Sequence, residues 1–397
     1  MTSKTSRLWT PQFILIIIVT FLFFLCLQML TAGFPVFVTG LMSNPAEGGL
    51  MTTVFMLAAI FTRPIIGILI HKMNIKRLLV ITLFFVAGFI LLSYGRTSLS
   101  TLIVIRIFHG IGFGIVSTLL ATLATMLIPH ERLGEGIGYF GMATSLGTTI
   151  GPSLALTFDH LFSFNMTILF TAVVAALGFI MSLLIKKTEP LQKKGQKVEQ
   201  KGSIFQYAFD KKALLPCLLV FLFYLTFSGI VNFINGLGEE VHLGGKVSIF
   251  FLLNALVTVL IRPFSGRIYD RMGHKYLVYP ACVAGIMGLI IMALTHNLAT
   301  LIVAAVIYGI AYGIMQPTFQ AWAVSCVTPD KKGTANAMAL SFMDLGMALG
   351  AISLGGVAGQ FDYRSMYGIS SLLIVILLIL YAIIHVRTRK NRNPQAA

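Results

Sequence analysis

The chain has 397 residues, of which 57% are hydrophobic and only 11% are charged. Soluble domains usually contain about 25% charged residues, so this composition excludes an ordinary water-soluble protein and indicates a membrane protein. The formal net charge of +16 does not indicate a nucleic-acid-binding protein, because the basic residues are concentrated in every second loop between apolar segments.

Apolar segments long enough to cross a bilayer fill nearly the whole chain. A membrane-spanning helix needs about 20 predominantly apolar residues, and twelve such segments follow one another with short polar breaks between them. The predicted spans are residues 12–38, 48–70, 77–94, 99–127, 135–157, 164–185, 213–235, 247–265, 276–295, 299–327, 334–357 and 366–386. The sequence therefore predicts an all-α membrane protein of twelve transmembrane helices, with the lipid bilayer as its solvent.

The basic residues predict the orientation of these spans. Cytoplasmic loops of membrane proteins collect Lys and Arg. Of the 29 Lys and Arg residues, only Arg96, Lys246 and Arg364 lie in the odd-numbered loops, and three more lie within spans. Both termini are therefore expected in the cytoplasm, with the protein in the cell membrane. The first apolar segment is expected to be an uncleaved span, because no small-x-small cleavage site follows it.

A repeat at a constant offset of 199 relates the two halves of the chain. Arg63-Pro64 recurs as Arg262-Pro263, and residues 101–104 recur as 300–303. Glycines recur in the same register, with Gly67, Gly110, Gly114, Gly147 and Gly151 corresponding to Gly266, Gly309, Gly313, Gly346 and Gly350. Since six spans separate equivalent residues, the halves are predicted to be parallel repeats with a cavity between them.

The repeat also predicts the domain limits. Residues 1–185 are expected to form an N-terminal six-helix bundle, and residues 213–397 a C-terminal six-helix bundle with a cytoplasmic tail. Residues 186–212, rich in Lys and Gln, are expected to form a cytoplasmic linker. This basic run either touches anionic lipid or serves only to set the topology.

The four cysteines, Cys26, Cys217, Cys282 and Cys326, lie far apart within predicted spans. Neither a zinc site nor a disulfide framework has that spacing, so they are interpreted as packing residues. We expect no metal and no cofactor, no nucleic-acid partner, and a monomeric protein.

Two half-loops resemble the signature of the major facilitator superfamily, Gly-x-x-x-Asp-Arg-x-Gly-Arg-Lys. The copy after span eight consists of Gly266, Asp270, Arg271, Gly273, His274 and Lys275. The copy after span two keeps Gly67 and Lys76 but has His71 at the acidic position and Asn74 at the second glycine. The resemblance implies the twelve-helix fold of that family and loops that stabilise one access state through charge-assisted contacts. For the first copy, a simple positive-inside turn is an equal alternative.

Span four contains two polar residues on one helix face, Arg106 and His109, followed by Gly110, Gly112 and Gly114. This resembles the Arg-x-x-x-Gly-x-Gly pattern of proton-linked members of the family. A charged side chain at membrane depth usually faces a cavity or a partner, and histidine titrates near neutral pH. Proton coupling is the favoured role for Arg106, with a structural tether as the alternative. For His109, proton coupling and a simple hydrogen bond to a neighbour are equal alternatives.

Span five ends in Gly147, Gly151 and Pro152, which resembles the antiporter signature Gly-x-x-x-Gly-Pro-x-x-Gly-Gly of drug exporters. Ala155 and Leu156 replace its last two glycines. Small residues four apart let helices approach closely, so ordinary packing is the alternative. The signature favours export over import.

Asp344 is the acidic residue predicted to lie deepest within a span. A desolvated carboxyl has a raised pKa and can exchange a proton near neutral pH, so Asp344 is the leading candidate for the proton carrier. An ion pair with Arg262 or another cation is the structural alternative. Arg63 and Arg262, each followed by proline, are expected to share a gating or structural role.

Other polar and aromatic side chains concentrate in spans one, seven and ten. The candidate residues for the substrate cavity are Gln28, Tyr224, Asn232, Asn235, Gln316, Gln320 and Trp322. An isolated Asn or Gln can instead simply join two helices. The family resemblance implies that this set, with His109 of span four, lines the central cavity and that spans three, six, nine and twelve face lipid.

These patterns predict a secondary transporter rather than an enzyme, exporting a small organic molecule in exchange for protons. Import by proton symport is the alternative. A membrane enzyme would need clustered His and Asp or Glu, and an ATP-driven pump would need a phosphate-binding Gly-rich loop; neither pattern is present in the chain. Because span one carries Gln28 in place of an acid, a neutral, zwitterionic or carboxylate-bearing substrate such as a drug-like compound or a metallophore is favoured over a lipophilic cation.

Overall fold

The computed structural model describes residues 7–43, 45–186 and 209–392. Within these ranges the chain forms twelve long helices joined by short turns, and the described residues contain no β-strand. The helices are α1 Pro11–Met42, α2 Pro45–Lys72, α3 Ile75–Leu92, α4 Leu99–Leu127, α5 Leu133–Leu161, α6 Phe164–Leu183, α7 Leu214–Glu240, α8 Ser248–Met272, α9 Lys275–Ala293, α10 Leu298–Ser325, α11 Lys332–Gln360 and α12 Tyr363–Arg392.

Each predicted span corresponds to one of these helices, which confirms the predicted fold class. Among the described residues, eleven helices contain a stretch long and apolar enough to cross a membrane. The twelfth, α5, has the length of a span but carries Glu135, Asp159 and many glycine and threonine residues. Several helices are longer than predicted, α1 reaching Met42 rather than residue 38, because a helix can continue past the hydrocarbon core into the polar interface.

The ends of the helices are set by local chemistry. The Thr10 hydroxyl accepts a hydrogen bond from the Phe13 amide at 3.2 Å at the start of α1. Asn74 caps α3 by accepting from the Arg77 amide at 3.1 Å. Its repeat equivalent, Gly273, ends α8 with φ 79°, a backbone conformation that favours glycine. The missing glycine of the first half-loop therefore reflects a turn that uses a capping residue instead.

The described helices belong to two compact units. Unit 1 comprises Met1–Ala213 together with Ala323–Ser341, and unit 2 comprises Leu214–Trp322 together with Phe342–Ala397. The first turns of α11 therefore cluster with unit 1 and the remainder of α11 with unit 2. The predicted domain limits stay a prediction, and most of the predicted linker, residues 187–208, lies outside the described residues.

Close helix packing in unit 1 depends on glycine. Helix α1 packs on α5 and α6, and α2 packs on α4. A Cβ added to Gly110 of α4 would overlap the Phe55 carbonyl of α2. A Cβ on Gly151 of α5 would lie 2.8 Å from the Gln28 Cβ of α1. These positions accept no larger side chain without separating the helices, which is the packing role of small residues in membrane helices.

Unit 2 repeats these glycine contacts. A Cβ on Gly309 of α10 would lie 3.3 Å from the Cα of Asn254 on α8, which is the repeat equivalent of Phe55. A Cβ on Gly350 of α11 would lie 2.7 Å from the Ser228 Cβ of α7, where Ser228 takes the place of Gln28. Helix α7 thus follows α1 at an offset of 200, while the other glycine-packed helices keep 199. The sequence repeat is a repeat of helix contacts.

Candidate substrate and proton-coupling site

Arg63 on α2 is buried and holds α4 through its guanidinium group. Its Nη1 donates to the Ser117 hydroxyl at 2.9 Å and lies 3.5 Å from the Thr118 hydroxyl. The guanidinium carbon lies 5.1 Å from the centre of the Phe113 ring. Buried cation–π contacts contribute about 2 kcal/mol, so this arginine joins the two helices by both hydrogen bonding and ring contact.

Arg262 on α8 makes the equivalent contacts in unit 2. Its Nη2 donates to the Gln316 side-chain oxygen, and its guanidinium carbon lies 5.8 Å from the centre of the Tyr312 ring. Both partners are on α10, and they are the repeat equivalents of Ser117 and Phe113. Nε and Nη1 of Arg262, however, are buried without a hydrogen-bond partner among the described residues. The predicted shared structural role of the two arginines is consistent with this geometry, while gating stays a prediction.

A polar network extends from Arg262 across four helices of unit 2. The Tyr224 hydroxyl on α7 lies 3.4 Å from the Tyr312 hydroxyl on α10. Tyr224 also interacts electrostatically with Arg262 on α8 and with Asp344 on α11. The network therefore brings together three residues predicted separately from the sequence.

Aromatic rings form one wall beside this network. The Phe227 and Tyr312 rings stack with centroids 4.4 Å apart, and Tyr308 lies parallel to Phe227 at 6.5 Å. Phe227, Tyr312, Tyr224 and Asp344 are each partly exposed, whereas Arg262 is 1% exposed. The site thus presents an aromatic surface with two hydroxyls and a carboxylate, beside a buried guanidinium. The sequence patterns did not indicate Phe227 or Tyr312; the offset of 199 makes Tyr312 the repeat equivalent of Phe113.

The other candidate cavity residues are distributed more widely. Asn232 donates to the Ser228 carbonyl of its own helix at 2.9 Å, and Asn235 is exposed one turn further along α7. Gln28 is half-buried, with its Cβ against Gly151. Gln320 is buried on α10 one turn beyond Gln316. None of these positions adds a charge to the site.

Trp322 does not lie with the Tyr224 network. Its ring stacks on His274 with centroids 4.0 Å apart and an interplanar angle of 12°. The His274 Nδ1 is 2.8 Å from the Tyr381 hydroxyl, and the Trp322 and Tyr381 rings meet edge to face. Trp322 therefore joins the turn between α8 and α9 to α12, a contact that its position in an apolar span did not predict.

Arg106 and His109 lie together in unit 1 and are fully buried. The Arg106 Nε donates to the Met51 carbonyl of α2 at 3.2 Å, and its guanidinium lies between the Phe55 ring at 4.4 Å and the Phe34 ring at 5.0 Å. Nη1 and Nη2 have no hydrogen-bond partner among the described residues. Leaving a buried charge uncompensated costs about 3–5 kcal/mol, and the two rings offset part of that cost.

The His109 ring also lies against Phe34, with centroids 5.9 Å apart. The Phe89 carbonyl is near the ring, but neither ring nitrogen has a partner with hydrogen-bond geometry in the described part of the chain. The two residues share a helix face as predicted. Proton coupling and a simple hydrogen bond to a neighbour both stay predictions for His109.

One half-loop residue, Lys76, contacts the end of a neighbouring helix. Lys76 donates to the Leu183 carbonyl at the end of α6 at 2.9 Å. In the second copy Gly266 is buried, Asp270 is half-buried and Arg271 is exposed. Gly67 is buried in α2, and the side chain of His71 lies outside what the structure describes. Roles of these residues in an access cycle stay predictions.

The antiporter-like residues lie where α5 crosses α1. A Cβ on Gly147 would lie 2.8 Å from both the Leu25 amide nitrogen and the Phe24 Cβ, and Gly151 makes the contact with Gln28. Pro152 lies inside α5 and removes one backbone hydrogen bond there. The motif therefore serves close packing of α1 and α5, and a further role in the direction of transport stays a prediction.

Among the described residues, neither the buried cysteines nor a cluster of metal-ligating side chains forms a further candidate site. Cys26 lies in the core with its sulfur 3.5 Å from the Thr171 carbonyl oxygen. No group of three or more His, Cys, Asp or Glu side chains among the residues searched is placed to hold a metal ion. The polar network of unit 2 and the Arg106–His109 pair are therefore the candidates for chemistry.

Comparison with known proteins places these features in a family. The model of the Major Facilitator Superfamily matches residues 16–351 and 285–397. The chain is 23% identical over 389 residues to the Staphylopine export protein of Staphylococcus aureus, covering 95% of this chain and 96% of that protein. It is 22% identical over 275 residues to the Multidrug resistance protein MdtG of Dickeya zeae, covering 67% and 66%.

Among solved structures, the human organic anion transporter MFSD10 (TETRAN) superposes with a TM-score of 0.81 at 17% identity, covering 94% of this chain and 99% of that one. At this identity the likeness shows the fold alone. The family match spans nearly the whole sequence and agrees with the twelve helices and their internal repeat. The chain therefore belongs to the Major Facilitator Superfamily of membrane transporters.

Proposed function

We propose that the protein is a proton-coupled exporter of a small organic molecule, working by alternating access in the cell membrane with both termini in the cytoplasm. The observation that supports the coupling is the unit 2 network, in which the Tyr224 hydroxyl lies 3.4 Å from the Tyr312 hydroxyl and the Arg262 guanidinium lies 5.8 Å from the Tyr312 ring centre, with the partly exposed Asp344 within electrostatic range of Tyr224. The direction is supported by the full-length similarity to the Staphylopine export protein and by the similarity to a multidrug resistance protein.

A proton bound at Asp344 changes the forces within this network. A charged carboxylate attracts the Arg262 guanidinium, two of whose nitrogens lack partners among the described residues, and a protonated carboxyl does not. Because Tyr224, Arg262, Tyr312 and Asp344 lie on four different helices, the two charge states favour different helix arrangements. This is the differential interaction that a ligand needs in order to shift a conformational equilibrium.

The chemistry of the charged groups supports an anionic or zwitterionic substrate. The basic residues buried in the helices of the two units include Arg63, Arg106, His109 and Arg262, whereas Asp344 is the acid of the unit 2 network. The Phe227 and Tyr312 rings supply an apolar surface against which a planar group packs. A carboxylate-bearing or zwitterionic secreted metabolite, such as a metallophore, or an amphiphilic drug matches this combination.

The decisive experiment compares metabolites in the medium of cells that have or lack this gene, with and without a protonophore. A compound that disappears from the medium in both the deletion and the protonophore culture is the expected result, and its counterflow in proteoliposomes then identifies the substrate. Reduced accumulation of a nutrient inside deletion cells, with no change in the medium, would overturn export and support proton symport into the cell.

Two pairs of variants test the roles proposed for Asp344 and Arg106. Asp344→Asn is expected to reach the membrane but lose transport driven by a pH gradient, whereas Asp362→Asn, at an exposed acid in the turn before α12, is expected to retain it. Arg106→Ala is expected to impair transport more than Lys246→Ala, because Arg106 is buried between two rings and Lys246 lies in an exposed turn. Equal activities in either pair would contradict the corresponding role.

A further inference from the structure

The ends of three helices of unit 1 meet on the side that is expected to face the cytoplasm. Helices α1 and α3 both pack against α6. The Lys76 ammonium of α3 donates to the Leu183 carbonyl of α6 at 2.9 Å. The side-chain nitrogen of Gln12 on α1 lies 3.5 Å from the Leu184 carbonyl oxygen, and its side-chain oxygen accepts from the Lys186 amide at 2.7 Å. Side chains of both neighbours thus bond carbonyls that the end of a helix leaves without partners.

This junction is basic and has no acid on its three helices. Its basic residues, which we name the basic patch, are Arg7, Lys76, Arg77 and Lys186. None of α1, α3 and α6 contains Asp or Glu, and none of the four bases forms an ion pair among the described residues. The neighbouring α5 contributes Glu135, which is paired with Arg132 at 2.6 Å. The described part of the chain therefore provides no counterion for the basic patch.

The basic character continues in the sequence after Lys186. Residues 187–208 lie outside the described ranges and contain five lysines and two glutamates. This segment adds net positive charge instead of neutralising the basic patch. The charge of the whole region therefore fits an anionic partner from outside the protein.

Large apolar side chains adjoin the basic patch. At the end of α6, Leu183 is 47% exposed and Leu184 is 67% exposed. Trp9, just before α1, is 46% exposed, and its ring meets the Tyr139 ring edge to face at 4.5 Å. Tryptophan is typical of the interface between lipid headgroups and acyl chains. A free phosphate ion would satisfy the bases alone, whereas a phospholipid would also cover these apolar side chains.

We propose that the basic patch and the adjoining Trp9, Leu183 and Leu184 bind an anionic phospholipid of the cytoplasmic leaflet. The lipid phosphate lies against the bases, and its acyl chains lie against the tryptophan and the two leucines. Basic pockets between membrane helices on the cytoplasmic side are typical binding sites for anionic headgroups. The bound lipid then joins the ends of α1, α3 and α6. Only the choice of leaflet rests on the proposed orientation; substrate, direction and coupling ion do not enter.

Fluorescence of Trp9 tests the location of the lipid. The chain has two tryptophans, so Trp322→Phe leaves Trp9 alone and keeps an aromatic ring against His274. The full-length variant is reconstituted in phosphatidylcholine vesicles that contain brominated phosphatidylglycerol or, at the same mole fraction, brominated phosphatidylcholine. Because bases near the membrane enrich anionic lipid, phosphatidylglycerol is expected to quench Trp9 at least about twice as strongly. Equal quenching by the two lipids would overturn the proposal.

Two matched double variants distinguish a binding site from a general attraction of anionic lipid to a basic protein. Both are made in the same single-tryptophan background. Arg77→Gln with Lys186→Gln removes two exposed bases of the patch, whereas Lys211→Gln with Lys212→Gln removes the same charge from two exposed lysines elsewhere in unit 1. The first pair is expected to lose the preference for phosphatidylglycerol and the second pair to keep it. An equal loss in both would overturn the site.

Thermal unfolding in detergent separates a lipid site from a phosphate site and shows that the variants are folded. Added phosphatidylglycerol is expected to raise the unfolding midpoint of the wild-type protein, because a ligand of the folded state stabilises it. Each base near an anionic surface strengthens binding about fivefold, so Arg77→Gln with Lys186→Gln is expected to bind the lipid about 25-fold more weakly. An equal rise with inorganic phosphate alone would overturn the lipid assignment, and an unchanged affinity in the double variant would overturn the role of the bases.

Discussion

The two units place an arginine at the same repeat position in different chemical surroundings. Arg63 of unit 1 lies over Phe113 and bonds to Ser117. Arg262 of unit 2 lies over Tyr312 and bonds to Gln316, and the Tyr312 hydroxyl lies 3.4 Å from that of Tyr224, which interacts electrostatically with Asp344. The backbone positions are equivalent, while tyrosine hydroxyls and an acid are added only in unit 2.

The reverse difference is found elsewhere on the same helices. Arg106 and His109 of α4 correspond in the repeat to Ala305 and Tyr308 of α10, which are also buried. The titratable residues found only in unit 1, Arg106 and His109, thus lie on α4 beside α2. The acid found only in unit 2, Asp344, lies on α11 near α7. The repeat preserves the contacts that hold helices together, and the titratable groups differ between the halves.

The largest expected effect comes from making unit 2 resemble unit 1 at the acidic position. Asp344 corresponds to Ser145, so Asp344→Ser removes the carboxylate and supplies the residue of the other repeat. Transport driven by a pH gradient is expected to fall by more than about tenfold, equivalent to ~1.4 kcal/mol. Counterflow in proteoliposomes at equal pH is the comparison, and an unchanged pH-driven rate would show that the acid is dispensable.

Replacing the paired arginines is expected to separate stability from transport. Arg63→Met removes a guanidinium bonded to buried hydroxyls and is expected to cost about 2 kcal/mol of unfolding free energy. Arg262→Met also removes two buried nitrogens that lack partners among the described residues, so its cost is expected to be about 1 kcal/mol or less. Thermal unfolding in detergent measures both. Transport should be lost with Arg262→Met, and a larger stability loss for that variant would contradict this reasoning.

Two equivalent glycines test how closely the units share their packing. A Cβ on Gly110 overlaps the Phe55 carbonyl, which is backbone, whereas a Cβ on Gly309 lies no closer than 3.0 Å to the Val257 side chain. Gly110→Ala is expected to destabilise the protein by about 1–3 kcal/mol, and Gly309→Ala by clearly less. The unfolding midpoints of the two variants measure this difference. Equal shifts would mean that α2 and α4 move apart at little cost to accept the added Cβ.

The smallest effect concerns two equivalent basic residues in unit 1. Arg132 bonds to Glu135 at 2.6 Å, whereas its repeat equivalent, Lys331, bonds to Asp210 at 3.0 Å. Burial raises the pKa of Asp210, but the Lys212 amide and the Lys331 ammonium lower it more, so the net pKa lies under its ordinary value.

A carboxyl with a lowered folded-state pKa stabilises the fold above its unfolded pKa, about 3.9, and this contribution is lost as the pH falls through the folded pKa. Lys331→Ala is therefore expected to cost about 0.5 kcal/mol at pH 7 and nothing at a pH well under the folded pKa of Asp210. Unfolding midpoints as a function of pH measure this, with Arg132→Ala as the comparison. A constant deficit at all pH values would show that lost packing, and not the ion pair, is responsible.

The helices and the repeat could be predicted because both depend on local signals. A run of about 20 apolar residues defines a span whatever its neighbours, and an arginine or glycine at a fixed offset marks a repeated contact. The sequence also identified Asp344, Arg262 and Gln316 separately. It did not show that Tyr224 and Tyr312 meet beside Arg262, since that arrangement depends on how the helices pack.

The contacts of apolar and aromatic side chains could not be predicted from the sequence. In a membrane helix the side toward lipid and the side toward neighbouring helices are both apolar, so hydrophobic periodicity does not distinguish them. Phe227 and Trp322 illustrate this, the first lying beside the polar network and the second against His274.

The repeat offset is 200 between α1 and α7 but 199 between α2 and α8, and this difference indicates where the chain tolerates an insertion. Equivalent contacts shift from an offset of 200 at Leu25 to 199 at Ala59, so the segment between them has changed length once while the helix contacts on both sides were kept. An inserted epitope or labelling site is best placed there, around the turn at residue 43. Within α4, even a single residue inserted before Ser117 would rotate the later residues by about 100° and move Ser117 away from Arg63.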